Sequence, residues 1–165
     1  MGGFEDLAGC LSVPSRNVEE FEIDQVQLYW DVLFPSEYKE FVRNYGDTEI
    51  QGFLRIYGPK TLDSSARTLG PIQQKIWQKR GYDDFGVLPT PKGKILWGGT
   101  AEGDSLFLDP EESGSWKVAA FRRNWGDLYF SKLGVVDWLC AVLRGEICTD
   151  WMPEWPSFPL SVNSI

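Results

Sequence analysis

LFPSEYKEFVRNYG, residues 33–46, reads as a short helix with both ends marked. Ser36 is placed to act as N-cap, its hydroxyl accepting a free backbone N–H of the first turn. Gly46 closes the helix, because a left-handed residue just past the last turn costs glycine almost nothing. Between them Tyr38, Phe41, Val42 and Tyr45 recur at i, i+3, i+4 and i+7, one face of a helix. Lys39, Glu40 and Arg43 point the other way. The helix carries no chemistry; its weight lies in the segments that flank it along the chain.

After it, Ile50–Tyr57 has the β-branched and aromatic content of a strand, bounded by Gly46 and the Gly58-Pro59 breaker. Before it, Asp24–Leu33 is expected as a helix capped by Asp24, with Val26, Tyr29, Trp30 and Leu33 on one side. Residues 1–23 form an N-terminal extension with a short helix near Phe4–Leu11. Ser64 or Ser65 is expected to cap a helix running to Arg80, with Gly70-Pro71 as a point of interruption.

Beyond Gly81 the character changes to short strands: Phe85–Leu88, Ile95–Trp97 ending in a Gly98-Gly99 turn, Ser105–Leu108, Trp116–Arg122 and Asp127–Phe130. Asp109–Ser115 is read as a loop. Repeated short strands with turn signals indicate an antiparallel sheet. A last helix is expected from Ser131, stapled by Phe130 and Val135, with Val136, Leu139, Cys140 and Leu143 inward and Gly145 at its end. Residues 148–165 form a tail rich in proline and aromatics, expected to lie extended on the body. Helices, then strands, then a helix give a single α+β domain.

With 165 residues and 42% apolar content, the chain is long enough to bury a core. The formal net charge is −8 and the pI about 4.6. Nucleic acid and anionic membranes call for the opposite sign; a basic protein is the natural complement. Cys10, Cys140 and Cys148 are odd in number and have no CxxC spacing, which suggests neither a disulfide framework nor a zinc site. No signal-peptide pattern opens the sequence and no apolar run reaches membrane-spanning length, so the expected location is cytoplasmic.

The sequence contains no histidine. That removes the commonest general base and the Ser-His and Cys-His systems. It has no phosphate-binding loop and no nucleophile elbow. Glu102 and Asp104 are the remaining carboxylate pair, of the kind glycoside hydrolysis uses. Gly103 between them suggests a turn, in which Asp104 caps local N–H groups. No cofactor and no metal site is expected.

Two stretches in this order form a familiar pattern. The first is LFPSEYKEFVRNYG with its succeeding strand and Gly58-Pro59. The second is ILWGGTAEGDSLFL, residues 95–108, with a strand, Trp125-Gly126-Asp127 and SKLGVVDWLCAVLRGEI, residues 131–147, after it. Over about Asp24–Ile147 they resemble the SUKH superfamily, the Smi/Knr-like fold. Its members carry an LP-x-x-Y-x-x-F helix ending in Gly, a WG-x-T-x-x-GD hairpin and a C-terminal helix ending near GE. Phe34 replaces the usual Leu before Pro.

The resemblance implies one curved, mostly antiparallel sheet with helices packed around it. Bacterial relatives look like immunity proteins that bind and neutralise a toxin domain, often a nuclease. It implies no catalytic residues, and it implies a cognate toxin, basic in charge, as partner. Nuclease sites are basic, so an acidic neutraliser suits them. Residues 100–115 supply Glu102, Asp104, Asp109, Glu111 and Glu112 without a Lys or Arg. With Trp116 as an aromatic anchor, they form the candidate partner-binding patch. Glu19, Glu20, Glu22 and Asp24 add a second acidic run. The alternative function is a regulatory scaffold of the Smi/Knr type, and a third is a small carbohydrate-active enzyme using Glu102 and Asp104.

Overall fold

The computed structural model describes residues 3–12, 18–110 and 116–165. Its helices are α1 (Phe4–Cys10), α2 (Glu20–Trp30), α3 (Ser36–Tyr45), α4 (Pro59–Thr68), α5 (Gly70–Lys79) and α6 (Val135–Leu143). Its strands are β1 (Thr48–Ile50), β2 (Leu54–Ile56), β3 (Ile95–Thr100), β4 (Ser105–Pro110), β5 (Trp116–Arg122), β6 (Asp127–Phe130) and β7 (Val162–Ser164). The strands form one antiparallel sheet in the order β6-β5-β4-β3-β2-β1-β7. The α+β architecture expected from the sequence is the one observed.

Helix α3 buries Tyr38, Phe41, Val42 and Tyr45, the face its spacing marks. Gly46 comes next with φ 62°. Ser36 is the first helical residue and makes no capping bond; Pro35 occupies the N-cap. The Tyr38 hydroxyl donates to the Tyr57 carbonyl at 2.6 Å, tying α3 to the end of β2.

Side chains on a strand alternate between faces, and the central strands are covered on both. Ile95, Trp97, Leu106, Leu108, Val118 and Ala120 join the main core beneath α1, α3 and α6. Leu96, Phe107 and Ala119 join a second cluster, built on Trp77 of α5 together with Phe85 and Val87. This double coverage explains why β3 is buried along its whole length.

Several expected boundaries move. Helix α2 begins four residues before Asp24, so Asp24 is an interior position and not a cap. Ile50–Tyr57 is not one strand: Gln51 and Gly52, at φ 53° and 66°, turn the chain between β1 and β2. The helix expected from Ser64 or Ser65 starts at Pro59, whose fixed φ suits a first helical turn. It breaks at Leu69, one residue before Gly70-Pro71. Phe85–Leu88 contributes only an isolated bridge, Val87 to Lys94. Gly98 and Gly99 do not turn; they run inside β3, where a Cβ on Gly98 would collide with the Arg55 carbonyl of β2. Asp109 and Pro110 belong to β4, not to a loop. The last helix starts at Val135, with Gly134 and not Ser131 before it.

The tail is part of the body. Trp151, Met152 and Leu160 are buried, Trp155 donates its indole N–H to the Val142 carbonyl at 3.0 Å, and β7 pairs with β1.

Candidate protein-binding surface

Of the acidic residues in 100–115, the structure describes Glu102, Asp104 and Asp109. Glu102 lies exposed in the β3–β4 turn, its Oε2 accepting from Asn124 Nδ2 at 3.0 Å. Asp109 lies at the opposite end of β4, and the strand between spans about 20 Å. Lys94 neutralises Asp109 across 3.4 Å. Asp104 is buried: Oδ2 accepts the Thr100 hydroxyl at 2.6 Å and Oδ1 accepts the Arg123 backbone N–H at 2.8 Å. It offers no oxygen to a partner, and it is not placed as half of a catalytic pair with Glu102. Glu111 and Glu112 lie outside the described residues.

Trp116, at the start of β5, is half-buried and lines a groove of about 490 Å³ with Trp30, Leu33, Lys92 and Pro110. That groove leads to α2, where two of the four residues that spacing places inward point outward instead. Val26 is buried and Trp30 half-buried, as expected, but Tyr29 and Leu33 face solvent at 60% and 74% exposure. Phe21 and Leu28 are 66% and 85% exposed. They lie seven residues apart, two turns along one side of the helix.

Acidic groups surround these side chains. Residues 18–33 hold Glu19, Glu20, Glu22, Asp24 and Asp31 and no Lys or Arg. Glu20 is engaged by Arg43 of α3 at 2.6 and 2.8 Å, and that guanidinium holds its carboxyl below the ordinary range. Glu22 pairs with Lys60 at 2.9 Å. Glu19, Asp24 and Asp31 are exposed and make no salt bridge among the described residues.

Between α2 and α4 a cleft of about 540 Å³ is floored by Val26 and edged by Leu28, Tyr29 and Arg67. Its far wall is fixed. Arg67 lies 4.0 Å over the Tyr29 ring and donates to the Tyr29 hydroxyl at 2.8 Å, while Asp63 accepts the Trp30 indole N–H at 2.7 Å. Phe21, Leu28, Tyr29 and Leu33 thus stand exposed along α2 and its exit, with Lys60 and Arg67 across the cleft and Lys92 in the groove beside Trp116. Among the described residues, no three His, Cys, Asp or Glu groups come together as a metal site, and no helix is long and apolar enough to cross a membrane.

The family model SUKH_6, described as SMI1-KNR4 cell-wall, matches residues 20–139. The chain belongs to the SUKH family. No curated protein and no solved structure matches it. The SUKH match begins at the first residue of α2 and ends inside α6. Helix α1 and the tail therefore lie outside the matched span, although Leu7, Cys10 and Leu160 are buried in the same core.

Sequence reasoning missed the α2 surface by assigning its apolar residues to a single inward face. A signal was present. Phe21, Ile23, Val26, Leu28, Tyr29 and Trp30 spread around the whole helix, more than one buried stripe accounts for.

Proposed function

We propose that this SUKH protein is a non-catalytic immunity protein. It binds a basic toxin domain, a nuclease being the leading kind, and blocks it by covering its surface. The observation that carries the reading is the face formed by α2 and its exit, where four large apolar side chains (Phe21, Leu28, Tyr29 and Leu33) stand exposed among carboxylates with no basic residue in the segment. Contiguous exposed apolar surface marks interaction sites. Exposed aromatics ringed by charge suit a hot spot that a complementary partner desolvates. The acidic surround speeds encounter with a basic partner and disfavours acidic ones. Membership of SUKH and the net charge of −8 support the same reading.

Co-expression with a toxin encoded beside the gene tests it. Rescue of growth and a stable complex are expected. Phe21→Lys with Leu28→Lys removes both while leaving thermal stability within about 0.5 kcal/mol, since both side chains are mostly exposed. No rescue by the parent protein, or full rescue by the double variant, overturns the reading.

A second reading rests on the description of the matching family, SMI1-KNR4 cell-wall. In it the same face docks a signalling or cell-wall protein, and the protein acts as a regulatory scaffold. Gene neighbourhood separates the two: a toxin gene next door supports the first, its absence beside cell-wall genes the second.

A further inference from the structure

β6 is the outermost strand on the side of the sheet away from β7. It pairs with β5 at Ala119↔Phe130, Ala120↔Tyr129, Phe121↔Leu128 and Arg122↔Asp127. Just beyond it, the Ser131 N–H donates inward to the Val118 carbonyl at 2.9 Å. Backbone groups of an antiparallel strand alternate in direction. Tyr129 and Asp127 therefore share Ser131's direction, and Leu128 and Phe130 turn their N–H and C=O outward. Among the described residues no group hydrogen-bonds to them.

The side chains of Leu128 and Phe130 share one face of the sheet. There they line a pocket of about 280 Å³ with Tyr82, Phe85, Asp83 and Asp84. Phe130 is 58% exposed, and its ring lies 6.2 Å from that of Phe85. Asp83 and Asp84 are exposed and make no salt bridge among the described residues. Lys94 also reaches the pocket, but it sits 4.1 Å over the Phe85 ring and is already paired with Asp109.

We propose that β6 accepts an added strand from a basic partner, and that an arginine of this strand enters the Tyr82–Phe130 pocket. An unpaired edge recruits an extended chain through main-chain hydrogen bonds, and pockets beside it select alternate side chains. A residue opposite Leu128 or Phe130 projects on the pocket's face. A planar guanidinium can stack on the Tyr82 or Phe130 ring while it pairs with Asp83 or Asp84. A second copy is disfavoured there. Two-fold pairing of β6 with itself would put both Asp83–Asp84 pairs on one face of the joined sheet, like charge beside like.

The proposal does not rest on toxin neutralisation, since a peptide tests it alone and the α2 variants leave the edge untouched. The probe is a short acetylated peptide of alternating valine and threonine with a central arginine, added to the whole protein. Amide hydrogen exchange by NMR should slow at Leu128 and Phe130. Asp83→Lys with Asp84→Lys, both on an exposed loop, should weaken binding about tenfold, and a glutamate-centred peptide should bind no better than that. Methylating the peptide nitrogen that faces β6 should cost about fivefold or more. Phe130→Pro deletes one outward donor while keeping the β5 ladder, and should weaken binding similarly. Should that variant fail to fold, the methylated peptide asks the same question of the parent protein. The proposal is overturned by unchanged exchange at both amides, by equal binding of the methylated peptide, or by amides already protected without peptide, which would mean that a second copy holds the edge.

Discussion

The carboxylate of Asp104 accepts the Thr100 hydroxyl at 2.6 Å, closing the β3–β4 turn from inside. Thr100 is buried with it, and Gly103 between them sits at φ 92°. Replacing the carboxylate strands the Thr100 hydroxyl and the Arg123 N–H together. Asp104→Ala is expected to cost about 2–3 kcal/mol, seen as a lower urea midpoint with an unchanged slope. Partner affinity per folded molecule should not change. A loss below about 0.5 kcal/mol would remove Asp104 from this structural role.

Charge on the α2 face should govern the speed of association. Glu19→Lys, Asp24→Lys and Asp31→Lys together reverse three exposed charges that no salt bridge among the described residues employs. The expected result is an association rate about tenfold lower at low salt, with little change in dissociation. The difference should narrow as the screening length shrinks. Rates that respond equally at high and low salt would show that steering does not act through this face.

Burial raises the Cys140 thiol from 9.0 to about 11, and raises Cys148 as well. The thiolate is the reactive form, so at about pH 8 native Cys140 should alkylate about a hundredfold more slowly than in urea. The folded state holds this proton more tightly than the unfolded one. The stabilisation is therefore fully present below pH 9.0 and fades as pH climbs toward about 11. Tyr38, pushed well above its ordinary value by complete burial, extends the loss at still higher pH. Denaturant midpoints across about pH 8–11 should decline; a flat profile contradicts the assignment.

The close approach of β2 to β3 depends on Gly98. A Cβ there meets the Arg55 carbonyl oxygen directly, and backbone cannot rotate aside as a side chain can. Gly98→Ala should destabilise by about 3 kcal/mol. Gly9→Ala, where a Cβ meets nothing within 4 Å and the site is an exposed position of α1, is the contrasting case and should stabilise by about 0.5–1 kcal/mol.

Local pattern was legible where one physical rule dominated. The 3.6-residue spacing of Tyr38, Phe41, Val42 and Tyr45 marks the buried face of α3, because only one side of that helix meets the core. Strands β5 and β6 have the bounds that alternation and turn residues indicate. Gly98-Gly99 misleads because glycine marks both turns and close strand contacts, and only the distant Arg55 separates the two. Ile50–Tyr57 conceals a hairpin because Gln51 takes a left-handed conformation that its side chain does not advertise. At the candidate site, Trp116 lines a groove beside Trp30 and Leu33. Asp104 reads from sequence both as a contact and as a turn cap, and the structure shows its carboxylate in capping bonds. The α2 surface escaped because an exposed Leu28 and a buried Val26 look alike until α4 is in place.

Helix α1 and the residue that follows β7 come to rest on the same short segment. The Phe4 ring lies 6.3 Å from that of Tyr45, and the Ile165 N–H reaches the Asp47 carbonyl at 3.4 Å. Between them the Leu160 N–H donates to the Cys10 carbonyl at 2.8 Å, and the Ser12 N–H to that of Leu160 at 2.8 Å. First and last segments are thus laced together. Deleting residues 160–165 should therefore bare the Cys10 thiol to alkylating reagents as well as remove β7.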